Sequence, residues 1–235
     1  MARMSHPNVV GVYALGEIGG QPFIVMEHVP GVPLSRLLRH RPEGLRPEEA
    51  IVVLDQVCRG VSAIHTAGLI HRDLKPANVL LADTGEAMLL DFNLSFDATE
   101  AKREVVGGTV PYMAPEQLQG RSDARSDVYS LGVVMYHMLA GRPPFQGKAP
   151  VDIILKHLNE PVPPFKSELK VPADLEAVVQ RCLSKEPADR YQSMDELLDA
   201  LKRMGTLSTS DLMYISAVNK ALPRPGTMTP SERVR

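Results

Sequence analysis

His71-Arg72-Asp73-Leu74-Lys75-Pro76-Ala77-Asn78-Val79-Leu80-Leu81 sets a carboxylate, an ammonium and an amide at fixed offsets on one loop, which then runs into an apolar stretch. Phosphoryl transfer asks for such a trio. Asp73 can accept a hydroxyl proton, Lys75 can steady the moving phosphoryl group, and Asn78 can hold a divalent metal ion. Thirteen residues beyond Asn78 stands Asp91-Phe92-Asn93, preceded by the apolar run Ala87-Met88-Leu89-Leu90, and Met113-Ala114-Pro115-Glu116 closes the segment.

Taken in this order, these motifs resemble the catalytic region of a Hanks-type serine/threonine protein kinase, from His6 to about Leu201. The resemblance implies an α+β, kinase-like fold, mainly the helical C-terminal lobe with a remnant of the β-rich N-terminal lobe. The catalytic domain is then expected over residues 1–205, with small-lobe remnant and hinge at 1–29, large lobe at 30–205, and a flexible tail at 206–235. It also implies ATP with Mg²⁺ or Mn²⁺ as cofactors and Ser/Thr hydroxyls of proteins as acceptors. Asp73 becomes the catalytic base and Lys75 the mark of a serine/threonine enzyme, while Asn78 and Asp91 become the metal ligands. Met26-Glu27-His28-Val29 resembles the hinge that receives adenine. There Met26 guards the back pocket, the Glu27 carbonyl and Val29 amide bond the base, and Leu80 forms the pocket floor.

Further residues take supporting parts under the same resemblance. Thr109 is expected to bridge to Asp73 and Lys75, Glu116 to form a buried ion pair with Arg190, and Asp127 to brace the catalytic loop through backbone N–H groups. Phe92 and His71 are expected to stack in a hydrophobic column below Val12. Asn93 departs from the family's glycine after Asp-Phe, but asparagine is the residue next most tolerant of positive φ. Arg103-Glu104-Val105 stands where many relatives carry a phosphorylatable threonine. Either Glu104 or Glu100 supplies a standing negative charge there, or the segment is a mobile, solvated loop.

No G-x-G-x-x-G and no Val-Ala-Ile-Lys strand occurs in the chain. Two origins are consistent with that: a piece of a longer kinase, or a protein that has lost half its small lobe. The alternative function is a pseudokinase or scaffold lobe that binds a partner without catalysis. A small-molecule phosphotransferase fits less well, because Gly108-Thr109 and Ala114-Pro115-Glu116 resemble elements that hold a peptide.

The bulk numbers agree with a globular chain. Of 235 residues, 44% are hydrophobic and 23% charged. Twenty-six basic against 28 acidic side chains give a net charge of −2, which offers no basic field for nucleic acid. Cys58 and Cys182 lie in apolar, helix-like patterns and read as buried free thiols of a reducing compartment. No apolar run is long enough to span a membrane, and the N-terminus lacks the apolar core of a secretory signal, so the expected location is cytoplasmic. The oligomeric state is not legible.

Local patterns place the elements. Val9–Leu15 and Pro22–Met26 read as strands around a Gly19-Gly20 turn, and Pro30-Gly31-Val32-Pro33 as a connector. Pro47-Glu48-Glu49 opens a helix that Gly68 ends. Short strands at Val79–Leu81 and Ala87–Leu90 flank an Asp83-Thr84-Gly85 turn. Asp127 to Leu139 is apolar on almost every side and reads as a buried pillar. One-sided stripes follow at Leu175/Val178/Val179/Cys182 and Met194/Leu197/Leu198/Leu201.

Overall fold

In the computed structural model, residues 5–90, 109–204, 214, 216–218 and 220–222 are described. β1 (Val12–Ile18) and β2 (Gln21–Met26) form an antiparallel hairpin, with Ile18 opposite Gln21. Gly19 and Gly20 sit at φ 58° and 81°, the left-handed conformation that a two-residue hairpin turn needs.

The hairpin begins three residues later than the apolar run suggests, because Val9 and Val10 belong elsewhere. Val9 bridges Leu89 in parallel, the Val10 N–H donates to the Leu89 carbonyl at 3.0 Å, and the Leu89 N–H donates to the Asn8 carbonyl at 2.9 Å. Buried Asn8 fixes the junction: its side-chain amide donates to Gln56 Oε1 at 3.1 Å and to the Ala87 carbonyl at 3.0 Å.

The Pro30–Pro33 connector is, in part, a strand. β3 (Gly31–Pro33) pairs antiparallel with β4 (Val79–Ala82), which pairs with β5 (Ala87–Leu89), in the order β3-β4-β5. As an edge strand β3 tolerates its proline. Gly31 is required by close approach, since a Cβ there would collide with the Leu81 carbonyl oxygen and lie 2.9 Å from Ala82 Cα. α1 (Leu34–Arg39) follows directly and buries Leu34, Leu37 and Leu38; it is too short to show a helical period in the sequence.

α2 (Pro47–Thr66) starts as expected, with the Glu49 carboxylate accepting from the Arg46 N–H at 2.9 Å, and ends before Gly68 at φ 76°. After α3 (Pro115–Leu118) comes α4 (Ala124–Ala140). Asp123 caps α4 by accepting from the Arg125 N–H at 2.8 Å, and Gly141 ends it in the left-handed region. Side chains from Ser126 to Tyr136 are all buried, which makes α4 the pillar of the lobe. α5 (Pro150–Asn159), α6 (Ala173–Cys182) and α7 (Met194–Lys202) complete the order. α6 comes close enough to α4 that a Cβ on Gly132 would stand 2.6 Å from that of Cys182. Cys58 and Cys182 are fully buried, and burial pushes both thiols up. No helix among the described residues is long and apolar enough to cross a membrane.

Part of the expected tail from 206 onward is docked. Tyr214, Val218 and Leu222 pack against the main core, and the Ser216 hydroxyl donates to the Asp83 carbonyl at 2.8 Å. Their four-residue spacing makes one helical stripe, which the prolines that follow obscure.

Candidate active site

The loop before β4 is shaped by one carboxylate of α4. Asp127 is fully buried; its oxygens accept from the His71 and Arg72 N–H groups, both at 2.8 Å, and His65 Nε2 stands 2.8 Å from Oδ2. Arg72 is held at φ 66°, a conformation costing a non-glycine residue roughly 1 kcal/mol or more. The two Asp127 bonds, and the Gln117 side chain donating to the Arg72 carbonyl at 3.0 Å, hold the bend in place. His71 is wholly buried beneath it, and the Asp73 N–H lies 3.4 Å from its Nδ1. Desolvation lowers the His71 pKa against the opposing pull of Asp127 and Asp73.

That bend delivers the trio. Lys75 Nζ lies 2.7 Å from Asp73 Oδ2 and donates to Thr109 Oγ1 at 2.9 Å, so lysine is the bridge between Asp73 and Thr109. Asn78 sits in a tight 3-10 turn over Pro76–Asn78, and its Nδ2 donates to Asp73 Oδ2 at 2.8 Å and to the Asp73 carbonyl at 2.9 Å. Both partners can only accept, so the amide nitrogen must face them and Asn78 Oδ1 is turned away. Among the described residues, Asp73 Oδ1 is buried without a hydrogen-bond partner. One carboxylate oxygen is therefore saturated by two donors, while the other has no partner among the described residues.

The donor set fits a hard cation only in part within the described residues. The Leu90 N–H donates to the Asn78 carbonyl at 2.9 Å, which fixes the residue before Asp91 against Asn78. Asp91, Phe92 and Asn93, with Glu100, Arg103, Glu104 and Gly108, lie outside the described residues. Among the described residues no group of three or more His, Cys, Asp or Glu side chains forms a cage for a metal. Mg²⁺ needs few protein ligands, since water and phosphate oxygens fill most of its octahedron, and Asn78 Oδ1 is a donor of the right hardness.

The expected adenine hinge joins the hairpin to the lobe. The Glu27 N–H donates to the Gly11 carbonyl at 2.8 Å, and the Asp83 N–H to the Pro30 carbonyl at 2.8 Å. Met26 ends β2 at 36% exposure, while Val29 packs on Val10, Ala82 and Met88. Leu80 stands opposite Met88 in the β4–β5 register, so Leu80 and Val29 share one corner of the sheet.

Glu116 and Arg190 meet as expected, through paired bonds of 2.7 and 2.8 Å with Arg190 wholly buried. Beside them, Val110–Tyr112 forms a short 3-10 turn. Four polar contributors escaped the sequence reading: His65, Gln117, His137 and His157. For the three histidines the available signal was an imidazole within an apolar helical pattern, which also describes many ordinary core histidines; Gln117 gave none.

The family model described as "Protein kinase domain" matches residues 1–201. The chain is 41% identical over 214 residues to serine/threonine-protein kinase PknB of Mycobacterium tuberculosis, covering 86% of this chain and 34% of that protein. It is 40% identical over 213 residues to PknB of Mycobacterium leprae, with the same coverage. It is 38% identical over 223 residues to the probable serine/threonine-protein kinase CE0033 of Corynebacterium efficiens, covering 88% and 34%. The chain thus spans about a third of the length of the curated relatives it matches.

Proposed function

Since this chain belongs to the protein kinase domain family, we propose that it is the catalytic region of a serine/threonine protein kinase, transferring the γ-phosphoryl group of ATP to Ser or Thr hydroxyls of proteins. One observation carries the proposal: Asp73 Oδ2 is held by Lys75 and Asn78 while buried Oδ1 has no partner among the described residues. Asp73 Oδ1 orients the acceptor hydroxyl and receives its proton as the new O–P bond forms and the bond from the γ-phosphorus to the bridging oxygen breaks, releasing ADP. Lys75, tethered by Thr109, places its ammonium where negative charge gathers on the moving group. Asn78 Oδ1 and Asp91 would hold Mg²⁺, which offsets phosphate charge when bound. The segment Met26–Val29, with Leu80 beneath, receives the adenine.

The sequence holds no glycine-rich loop and no strand lysine, so turnover of these 235 residues alone is expected to fall below the ordinary kinase range of about 1–100 s⁻¹. The test is phosphoryl transfer from γ-labelled ATP–Mg²⁺ to a Ser/Thr peptide, for the chain and its Asp73→Asn variant. Loss of roughly 10²–10⁴-fold on substitution supports the assignment. Equal rates for the two proteins refute it. Retained peptide binding with no transfer by either protein would favour a scaffold lobe.

A further inference from the structure

α5 buries a single side chain, and that side chain is polar: His157, fully shielded from solvent. Its Nε2 lies 3.1 Å from the Pro111 carbonyl oxygen and its Nδ1 lies 2.9 Å from the Tyr129 hydroxyl of α4. A carbonyl can only accept, so Nε2 carries the proton and Nδ1 accepts from the tyrosine. The Phe145 ring meets the imidazole edge-on at 4.9 Å. One residue further along the same turn, the Tyr112 hydroxyl lies 2.8 Å from His137 Nδ1 on α4. Burial lowers the pKa of both imidazoles to about 4, with the Lys185 ammonium a further cause at His157. Each is therefore neutral near pH 7, the state a donate-and-accept chain requires.

The turn held this way is the one that begins at Thr109, whose hydroxyl holds Lys75. We infer that His157 is a positioning residue: by tying the Pro111 carbonyl to Tyr129 it keeps Thr109–Met113 in register with the Asp73–Lys75 pair, and His137 secures the neighbouring residue. Without the imidazole the Pro111 carbonyl loses its donor, and the turn keeps its internal bonds, Tyr112 N–H to Thr109 O at 2.9 Å and Met113 N–H to Val110 O at 3.3 Å, with the side-chain contacts to His137 and Lys75 at its two sides. The catalytic consequence rests on the kinase reading; the tether itself does not.

Two variants of similar bulk separate a tether from a space-filler. The His157→Gln side chain can place an N–H near the Nε2 position, whereas His157→Met fills the space without a donor. In the 235-residue chain, His157→Met should speed amide hydrogen exchange at Tyr112 and Met113 about tenfold, the worth of one lost neutral hydrogen bond. It should lower kcat about tenfold with the peptide KM within about threefold, because Lys75 loses its register with Asp73, and His157→Gln should recover both exchange and kcat to within about threefold. Wild-type exchange and kcat in His157→Met, or equal damage from Gln and Met, overturns the inference. If the unsubstituted chain transfers no phosphoryl group, the function proposal falls, and the exchange measurement alone decides the tether.

Discussion

Glu116→Ala should be among the most damaging single changes away from the Asp73–Lys75 pair. Arg190 is 0% exposed, and its guanidinium makes two parallel bonds to the Glu116 carboxylate while also donating to the carbonyls of Ser184, Lys185 and Arg125. The Tyr129 ring lies 4.8 Å from its central carbon and covers one face of the guanidinium. For Glu116, burial alone would raise the carboxyl pKa; the hydrogen bonds from Arg190 and Ser126 outweigh it, and the net shift is downward. Deleting the carboxylate strands a buried cation, which costs about 3–5 kcal/mol. Against a typical domain stability of roughly 5–15 kcal/mol, that is a large fraction. Glu116→Gln keeps an acceptor and the shape but not the charge, and should cost about 2 kcal/mol. The chain has no tryptophan, so far-UV circular dichroism in urea is the suitable assay. With a slope of roughly 2–3 kcal/mol per molar, Glu116→Ala should lower the midpoint by about 1.5 M and Glu116→Gln by about half that. A shift for Glu116→Ala within the error of the midpoint would refute the stranded-cation argument, and equal shifts for the two variants would show that the charge is immaterial.

Two further outcomes follow from single positions. His157 has a folded-state pKa of about 4 against an ordinary 6.5, lowered by desolvation first and by Lys185 next. Between those values the unfolded chain binds more protons, so this contribution is complete above about pH 6.5 and is lost as pH falls toward 4. For His157 that amounts to roughly 3 kcal/mol, and thermal unfolding from pH 7 to 4.5 should decline less steeply for His157→Gln than for wild type. Gly31→Ala forces a methyl onto the Leu81 carbonyl across the β3–β4 pair and should cost about 1–3 kcal/mol in urea unfolding; an unchanged midpoint would mean that β3 detaches without penalty.

How much was legible varied with the range over which each cause acts. Pro47 and Gly68 mark the bounds of α2 locally, and an apolar run without a polar face can only be a buried helix, so α2 and α4 were readable. Asp73, Lys75 and Asn78 were readable as a trio because a short loop leaves them little choice but to converge. Pro30–Pro33 was not readable as a strand, because Gly31 owes its place to Ala82, far along the chain. Val9-Val10 merges with the hairpin in the sequence, yet β5 claims those residues in space. His157 is the one buried residue of a short helix, and nothing near it in sequence names Pro111 or Tyr129 as partners.

Asp127 gives the bend at Arg72 an unusual kind of dependence. Successive residues of an α-helix rotate by about 100° and advance 1.5 Å, so a carboxylate on the first turn of α4 points at His71 and Arg72 only for one angular setting of that helix. A single inserted residue between Asp123 and Asp127 would swing it away, and the left-handed kink at Arg72 would lose its anchor. The curvature that presents Asp73 is thus inherited from the phase of a buried rod. The rod's rotation about its own axis cannot drift without moving that carboxylate off the bend.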